Sequence, residues 1–300
     1  MIRTFAFLAA VAVAAPAFAQ AADPAPSPAP VVAAERAFAA ETARVGINRG
    51  FTHWSVDDAV VFDEGRASTV RQTYPDRERP ADEPNLNWWP NFAGIARSGD
   101  LGFTTGGVEV GGRRTGHYFT VWKRQADGAW KWVYDGGSGA TAAGVPGPET
   151  EPVAMAPGSA TPMDPDQALE AVGEVEARLA EAAGTDQRAA HLAVLAGDAR
   201  VYVARQAPAA GKAEAADVLA AWPKALMFAP MTGGGASDAG DLVWTYGEAA
   251  WEADNALHQG WFVRVWRRDE GEVWKLVFVQ LVPGVPPPPL RVTTQPPPAS

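Results

Sequence analysis

A stretch opening with Gly99-Asp100-Leu101 recurs 141 positions later as Gly240-Asp241-Leu242, and this recurrence confines the chain to architectures that use one small unit twice. Thr104 and Gly106 answer to Thr245 and Gly247 at the same offset. Further on, Phe119, Val121, Trp122, Lys123 and Arg124 answer to Val263, Val265, Trp266, Arg267 and Arg268 at an offset of 144, and Trp130-Lys131 answers to Trp274-Lys275. Upstream, Asp58-Ala59 and Phe62 match Asp198-Ala199 and Tyr202 at an offset of 140. An offset that grows along the chain is what short loop insertions produce. The length of 300 residues agrees, since a domain takes roughly 100–200.

The repeat divides the chain into folded blocks at 31–137 and 166–283. Around them lie an Ala/Pro spacer at 20–30, a Gly/Ala/Pro/Thr-rich linker at 138–165 without aromatic residues, and a Pro-rich tail at 284–300. The linker reads as extended or disordered, and the tail, with Pro286 to Pro289 and Pro296 to Pro298, favours polyproline II. Within each block the apolar period is first helical, over 31–47 and 168–183, then over the shorter pieces 51–58 and 188–195. Short strands follow at 59–62 and 199–203, then amphipathic pieces at 85–95 and 213–227. Block one ends in strands at about 101–109, 117–124 and 130–135. Asp127-Gly128 is the turn of the last hairpin, and Glu270-Gly271 does the same work in block two. Helices first and a curved antiparallel sheet after make the fold class α+β.

The N-terminus sets the compartment. Arg3 precedes an apolar run from Phe5 to Ala15, and Ala17-Phe18-Ala19 is an A-x-A cleavage site. Residues 1–19 therefore read as a signal peptide cleaved near Ala19/Gln20, which predicts a periplasmic or secreted protein with no membrane anchor after cleavage; an uncleaved anchor is the alternative. The formal net charge is −10, and it becomes −11 without Arg3. An acidic chain repels phosphate backbones and anionic lipid surfaces, which speaks against nucleic-acid partners. The absence of cysteine excludes disulfides, thiolate metal sites and thiol nucleophiles. No nucleotide-loop, nucleophile-elbow or metalloprotease motif occurs, so no cofactor and no metal are expected.

The order of helices, short strand and aromatic hairpins resembles the cone-shaped NTF2-like (cystatin-like α+β) fold. More narrowly it resembles the SnoaL-like and DUF4440 branch. The similarity is carried by Asn91-Phe92-Ala93, by the run from Ser98 to Gly106, by the run from Gly116 to Gln125, and by Gly128-Ala129-Trp130-Lys131. Block two lacks the Gly116-His117 pair and is the more diverged copy. The resemblance implies two cones, each with a pocket between its helices and the concave face of its sheet. Relatives include isomerases, cyclases and dehydratases as well as binding proteins.

Strand alternation puts His117, Phe119 and Val121 on one face and Tyr118, Thr120 and Trp122 on the other. The first set, like Trp261, Val263 and Val265, is the more apolar, and it is assigned to the pocket and helices. The second set is assigned to a sheet face packed against the other copy, as an intrachain pseudo-dimer. His117 is then the candidate acid–base residue, its ordinary pKa of ~6.5 suiting both roles. Trp54, Trp89, Phe103 and Phe119 are expected to line the first pocket, and Tyr202, Trp244 and Trp261 the second. His53 and Asp57 read as an ion pair one helical turn apart, and Asp135 ends the last strand of block one at the expected mouth of the cone. Few charged groups converge in cones so rich in aromatics. Binding of a small apolar or aromatic molecule, without a specific activity, is therefore the favoured reading. The alternative is a cofactor-free isomerase, hydratase or lyase acting in the first pocket.

Overall fold

The computed structural model describes residues 26–284; the expected signal peptide at 1–19, most of the spacer and the tail beyond Gly284 lie outside the described residues. The first unit opens with α1 (Ala29–Val45) and α2 (Ile47–Trp54), separated by Gly46 at φ 92°. Then come β1 (Ser55–Asp63), β2 (Arg66–Thr69) and the single turn α3 (Val70–Thr73). The sheet is completed by β3 (Leu86–Ile95), β4 (Leu101–Val110), β5 (Arg113–Arg124) and β6 (Trp130–Ser138), with the short β7 (Val153–Ala154) at its edge. Its strand order is β2-β1-β6-β5-β4-β3-β7, with β1 parallel to β6.

The second unit repeats the plan. The long α4 (Pro165–Val194) leads into β8 (Leu195–Tyr202), β9 (Ala209–Ala210) and α5 (Gly211–Val218). The edge strands β10 (Met227–Phe228) and β11 (Gly233–Ala236) precede the three long strands β12 (Leu242–Ala253), β13 (Ala256–Arg268) and β14 (Trp274–Pro283). The order is β10-β12-β13-β14-β8-β9, with β11 also on β12 and β8 parallel to β14. The chain thus forms two α+β cones, each with helices laid on a curved sheet.

Local chemistry explains the boundaries. The β4–β5 hairpin turns on Gly111-Gly112 at φ 57° and 78°, and β12–β13 turns on Asp254-Asn255 at φ 52° and 59°. Such paired left-handed residues match the strand twist in two-residue hairpins. In the β13–β14 turn the left-handed residue is Glu272, one beyond the expected Glu270-Gly271. Residues 85–95, expected as an amphipathic piece before the sheet, form the strand β3 itself. The helical piece expected at 188–195 continues α4 beyond a break at Asp186. The linker is not extended or disordered: Ala140, Val145, Met155 and Ser159 are buried, and β7 pairs with β3.

Asp164 caps α4, its carboxylate accepting from Asp166 N at 3.0 Å and Gln167 N at 3.2 Å, with Pro165 in the first turn. Asp164→Ala is expected to cost about 1 kcal/mol, the usual loss for a removed side-chain cap. A urea titration that leaves the unfolding midpoint unmoved would refute that role.

Candidate functional site

The two faces of each sheet are occupied in the reverse of the sequence assignment. Tyr118 and Trp122 lie on the helix side with Phe38, Phe51, Trp88 and Trp132. Phe119 and Val121 lie on the other side, in the core shared with the second unit. Phe119 stacks face to face on Phe278, with centroids 3.7 Å apart and planes at 7°. The reason is chemical. The sheet-to-sheet interface takes the more apolar set, with His117, Thr105 and Gln280 as buried polar members, whereas each cone encloses a helix carboxylate that needs the polar set as partners.

In the first cone that carboxylate is Glu35 on α1, fully buried. It accepts from Trp88 Nε1 at 2.5 Å and Trp122 Nε1 at 2.9 Å, and also from the Thr104 hydroxyl. Burial raises its pKa against those hydrogen bonds. Nearby, Thr120 Oγ1 donates to Asp135 at 2.6 Å. Burial pushes Asp135 up to about 8; the Thr120 hydrogen bond opposes this and the charge of Glu35 adds to it. In the second cone Glu176 on α4 accepts from Thr245 Oγ1 at 2.7 Å and Trp266 Nε1 at 2.8 Å, and it pairs with the Arg264 guanidinium. Arg264 is fully buried, 4.1 Å from the ring centroids of both Phe228 and Phe262. His191, also fully buried, donates Nδ1–H to Gln187 O at 2.7 Å; burial, then the charge of Arg264, pushes it down to about 3.

Sequence reasoning missed Glu35 and Glu176, yet the signal was present. They are 141 residues apart, the offset of Thr104 and Thr245, and Val31 and Val172, one turn earlier, share that offset and are both fully buried.

Aromatic rings occupy the first cone. Phe38 sits 4.8 Å from Trp88, 4.9 Å from Phe51, 6.0 Å from Trp122 and 6.4 Å from Trp132. Of the residues expected to line pockets, only Trp54 packs on this side, its Nε1 donating to Glu41 at 2.8 Å. Phe103 and Phe119 face the second unit, and Trp89 lies under the linker, donating to Pro146 O at 2.9 Å. Tyr202 donates nothing to its own cone; its hydroxyl meets Thr105 Oγ1 of the first unit at 2.8 Å. Trp261 stacks on Phe62 at 5.1 Å and donates to Gly65 O at 3.0 Å.

His117 is buried in the sheet-to-sheet interface, not in the cone, 5.1 Å from Tyr202. Burial, opposed by the Thr141 backbone, pushes it down to about 4, and its Nδ1 has no partner among the described residues. A neutral imidazole that bonds no carboxylate lacks the partner an acid–base residue uses. His53 and Asp57 do not pair: His53 bonds Glu41 at 2.9 Å, and Asp57 pairs with Arg71. Among the described residues no cluster of three or more His, Asp or Glu could hold a metal ion.

The contacts between the units repeat under their exchange. Phe62 touches Trp261 and Tyr246 across the interface and Tyr134 within its own unit; its counterpart Tyr202 touches the matching residues His117 and Thr105 across it and Phe278 within its own. Arg97 N donates to Asp241 at 3.0 Å, and Asp238 N donates to Asp100 at 3.2 Å. The two Gly-Asp-Leu turns therefore clasp one another rather than only turning the chain.

Two clefts open beside this interface. One, of about 420 Å³, is walled by Val56, Val60 and Val133 of the first unit and Trp244 and Tyr246 of the second, with Asp58 and Lys123 also lining it. Trp244 and Tyr246 stack there at 5.7 Å. The other, of about 510 Å³, lies between the β1–β2 turn at Gly65-Arg66 and the Trp261 face of β12–β13.

No family model matches this chain, and no curated protein matches it. Among solved structures, an NTF2-like protein of unknown function from Pseudomonas putida is 17% identical and covers 39% of this chain and 87% of its own, with a TM-score of 0.33. A cystatin-like protein of unknown function from Nostoc punctiforme is 16% identical over 37% of this chain and 87% of its own, at 0.29. An epoxide hydrolase from M. tuberculosis is 19% identical over 39% and 78%, also at 0.29.

Proposed function

We propose that this is an exported protein, periplasmic or secreted, made of two tandem NTF2-like domains of the SnoaL-like type packed as an intrachain pseudo-dimer. It binds a small apolar or aromatic molecule without transforming it. One observation carries the reading: the cleft between the units offers a stacked Trp244–Tyr246 pair opposite three valines, with a single cation and a single carboxylate on its lining. The aromatic pair and the valines give the cleft an apolar wall for a small molecule, and Asp58, Lys123 and the Gly233–Gly235 backbone supply the polar groups that orient one. The first cone, by contrast, is filled by its own rings. The reading is tested with the neutral fluorescent aromatic N-phenyl-1-naphthylamine. Tyr246→Ala is expected to weaken its binding at least tenfold, and Val60→Trp, which fills the cleft, to abolish it. Unchanged affinity in both variants would remove the cleft as the site.

The second reading, a cofactor-free isomerase, hydratase or lyase, draws its support from Glu35 and Asp135 rather than from His117. Two buried acids with raised pKa values in one cone are a common acid–base arrangement. Turnover lost in Asp135→Asn and kept in His117→Gln would favour it.

A further inference from the structure

The correspondence between the units exposes an asymmetry. The groove beside Trp261 has a counterpart beside His117, since Gly65-Arg66 answers to Arg205-Gln206, Trp261 to His117, Gly260 to Gly116 and Glu248 to Gly107. That counterpart is filled by the linker that leaves β6. Arg205 N donates to Gly139 O at 2.7 Å, and Thr141 N donates to Gln206 O at 2.8 Å. Ala140 O lies 3.1 Å from where a Cβ on Gly116 would stand, and Val145 Cγ1 lies 2.6 Å from a Cβ on Gly107. Trp89 and Arg114 hold the far end, donating to Pro146 O and Val145 O at 2.9 Å each.

The chain leaves β14 as it leaves β6. Val282 pairs with Trp261 as Ser138 pairs with His117. By that register Gly284 corresponds to Ala140, Val285 to Thr141 and Pro289 to Val145. Gly284 already sits at the groove, its N–H donating to Gln259 O at 2.8 Å. Beyond it come sixteen residues, 285–300, beginning Val285-Pro286-Pro287-Pro288-Pro289. At ~3.1 Å per residue a polyproline II segment of that length reaches roughly 50 Å, and such segments dock in aromatic-lined grooves at low entropic cost. The groove supplies Trp261, Phe228 and the half-exposed Met227.

We infer that residues 285–290 of the Pro-rich tail occupy the Trp261 groove, as residues 141–146 of the linker occupy its counterpart, so that the chain closes both sides of its own interface. The inference rests on the tandem pseudo-dimer reading and not on any ligand. It is tested by disulfide trapping in the full mature chain, which has no native cysteine to interfere. Glu248→Cys with Pro289→Cys should close an intramolecular disulfide at least tenfold faster than Glu248→Cys with Pro298→Cys, which shares the tether but not the docked register. Thr141→Cys with Gln206→Cys is the positive control on the linker side. Equal rates for the two tail pairs, or disulfides that join two chains, would overturn the tail assignment while leaving the control intact. Failure of the control would count instead against the arrangement of the two units. Removal of residues 285–300 is further expected to speed amide exchange at Gln259–Trp261 and not at Thr115–His117; an unchanged rate at Gln259–Trp261 would tell against docking.

Discussion

Glu176→Gln is expected to destabilise the chain by about 3–5 kcal/mol, because it leaves a buried guanidinium without its counter-charge. Arg264 has no solvent exposure, and its Nε and Nη2 have no hydrogen-bond partner among the described residues. The ion pair with Glu176 and the two phenyl faces are what offset its desolvation. A cation over an aromatic face is worth ~0.5–2 kcal/mol, so the rings alone cannot replace the carboxylate. The same reasoning sets the control. Glu176→Gln combined with Arg264→Met removes both charges while the amide oxygen still accepts from Thr245 and Trp266, and removing both charges of a buried pair is often neutral or stabilising. The double variant should recover most of the loss in urea unfolding at neutral pH. A single variant losing under about 1 kcal/mol, or a double variant no better than the single, would show that the pair is not what compensates Arg264.

The corresponding carboxylate of the first cone behaves differently because its partners are neutral. Glu35 receives only indole and hydroxyl donors, and position 120, which corresponds to Arg264, is a threonine. Burial then favours the protonated acid, and the nearby Asp135 is pushed in the same direction. Two differences between the copies, Thr120 for Arg264 and Asp135 for Val279, thus separate a cone with an ion pair from a cone with two acids of raised pKa.

The duplicate plan, the α+β class and the three long strands of block one were legible because hairpin spacing and turn residues repeat in register. The facing of those strands was not. Alternation reports two faces but not which one meets a helix, and the usual rule, apolar side inward, fails when both faces are buried. Here the more apolar side is the interface and the more polar side is the cone. The rule therefore carried His117 and Phe119 to the wrong side, and Trp261 with them. Glu35 and Glu176 were passed over because a charged residue in an amphipathic helix ordinarily faces water. Only the shared offset, read together with the matching Thr and Trp, marks them as buried partners. The linker's packing was hidden for a different reason: Gly, Ala and Pro carry little hydrophobic signal, yet small side chains are what a groove beside Gly107 and Gly116 admits.

Stability is expected to fall as pH rises from 6.5 toward 8. Asp135, at about 8 in the folded chain, keeps a proton that the unfolded chain releases near 3.9. Between those values the folded state holds more protons, so stability declines with rising pH by about 1.4 kcal/mol per unit from this group alone. His191 and His117, lowered to about 3 and about 4, act in the opposite sense. Below their unfolded value of ~6.5 the unfolded chain gains protons that the folded chain refuses, and stability drops as pH falls. Below about 6.5 the imidazoles oppose Asp135, and Glu35 and Asp241, also raised by burial, act in the same sense as Asp135. Above 6.5 the imidazoles are largely neutral in both states and the raised carboxyls set the slope, Asp135 among them. Asp135→Asn keeps an acceptor for Thr120 and removes its share of the titration. Urea unfolding at pH 6.5, 7.25 and 8 should therefore show a declining free energy in the native sequence and a clearly shallower decline in the variant. A native profile that is flat over this range, or a variant that keeps the full decline, would place the proton elsewhere than on Asp135.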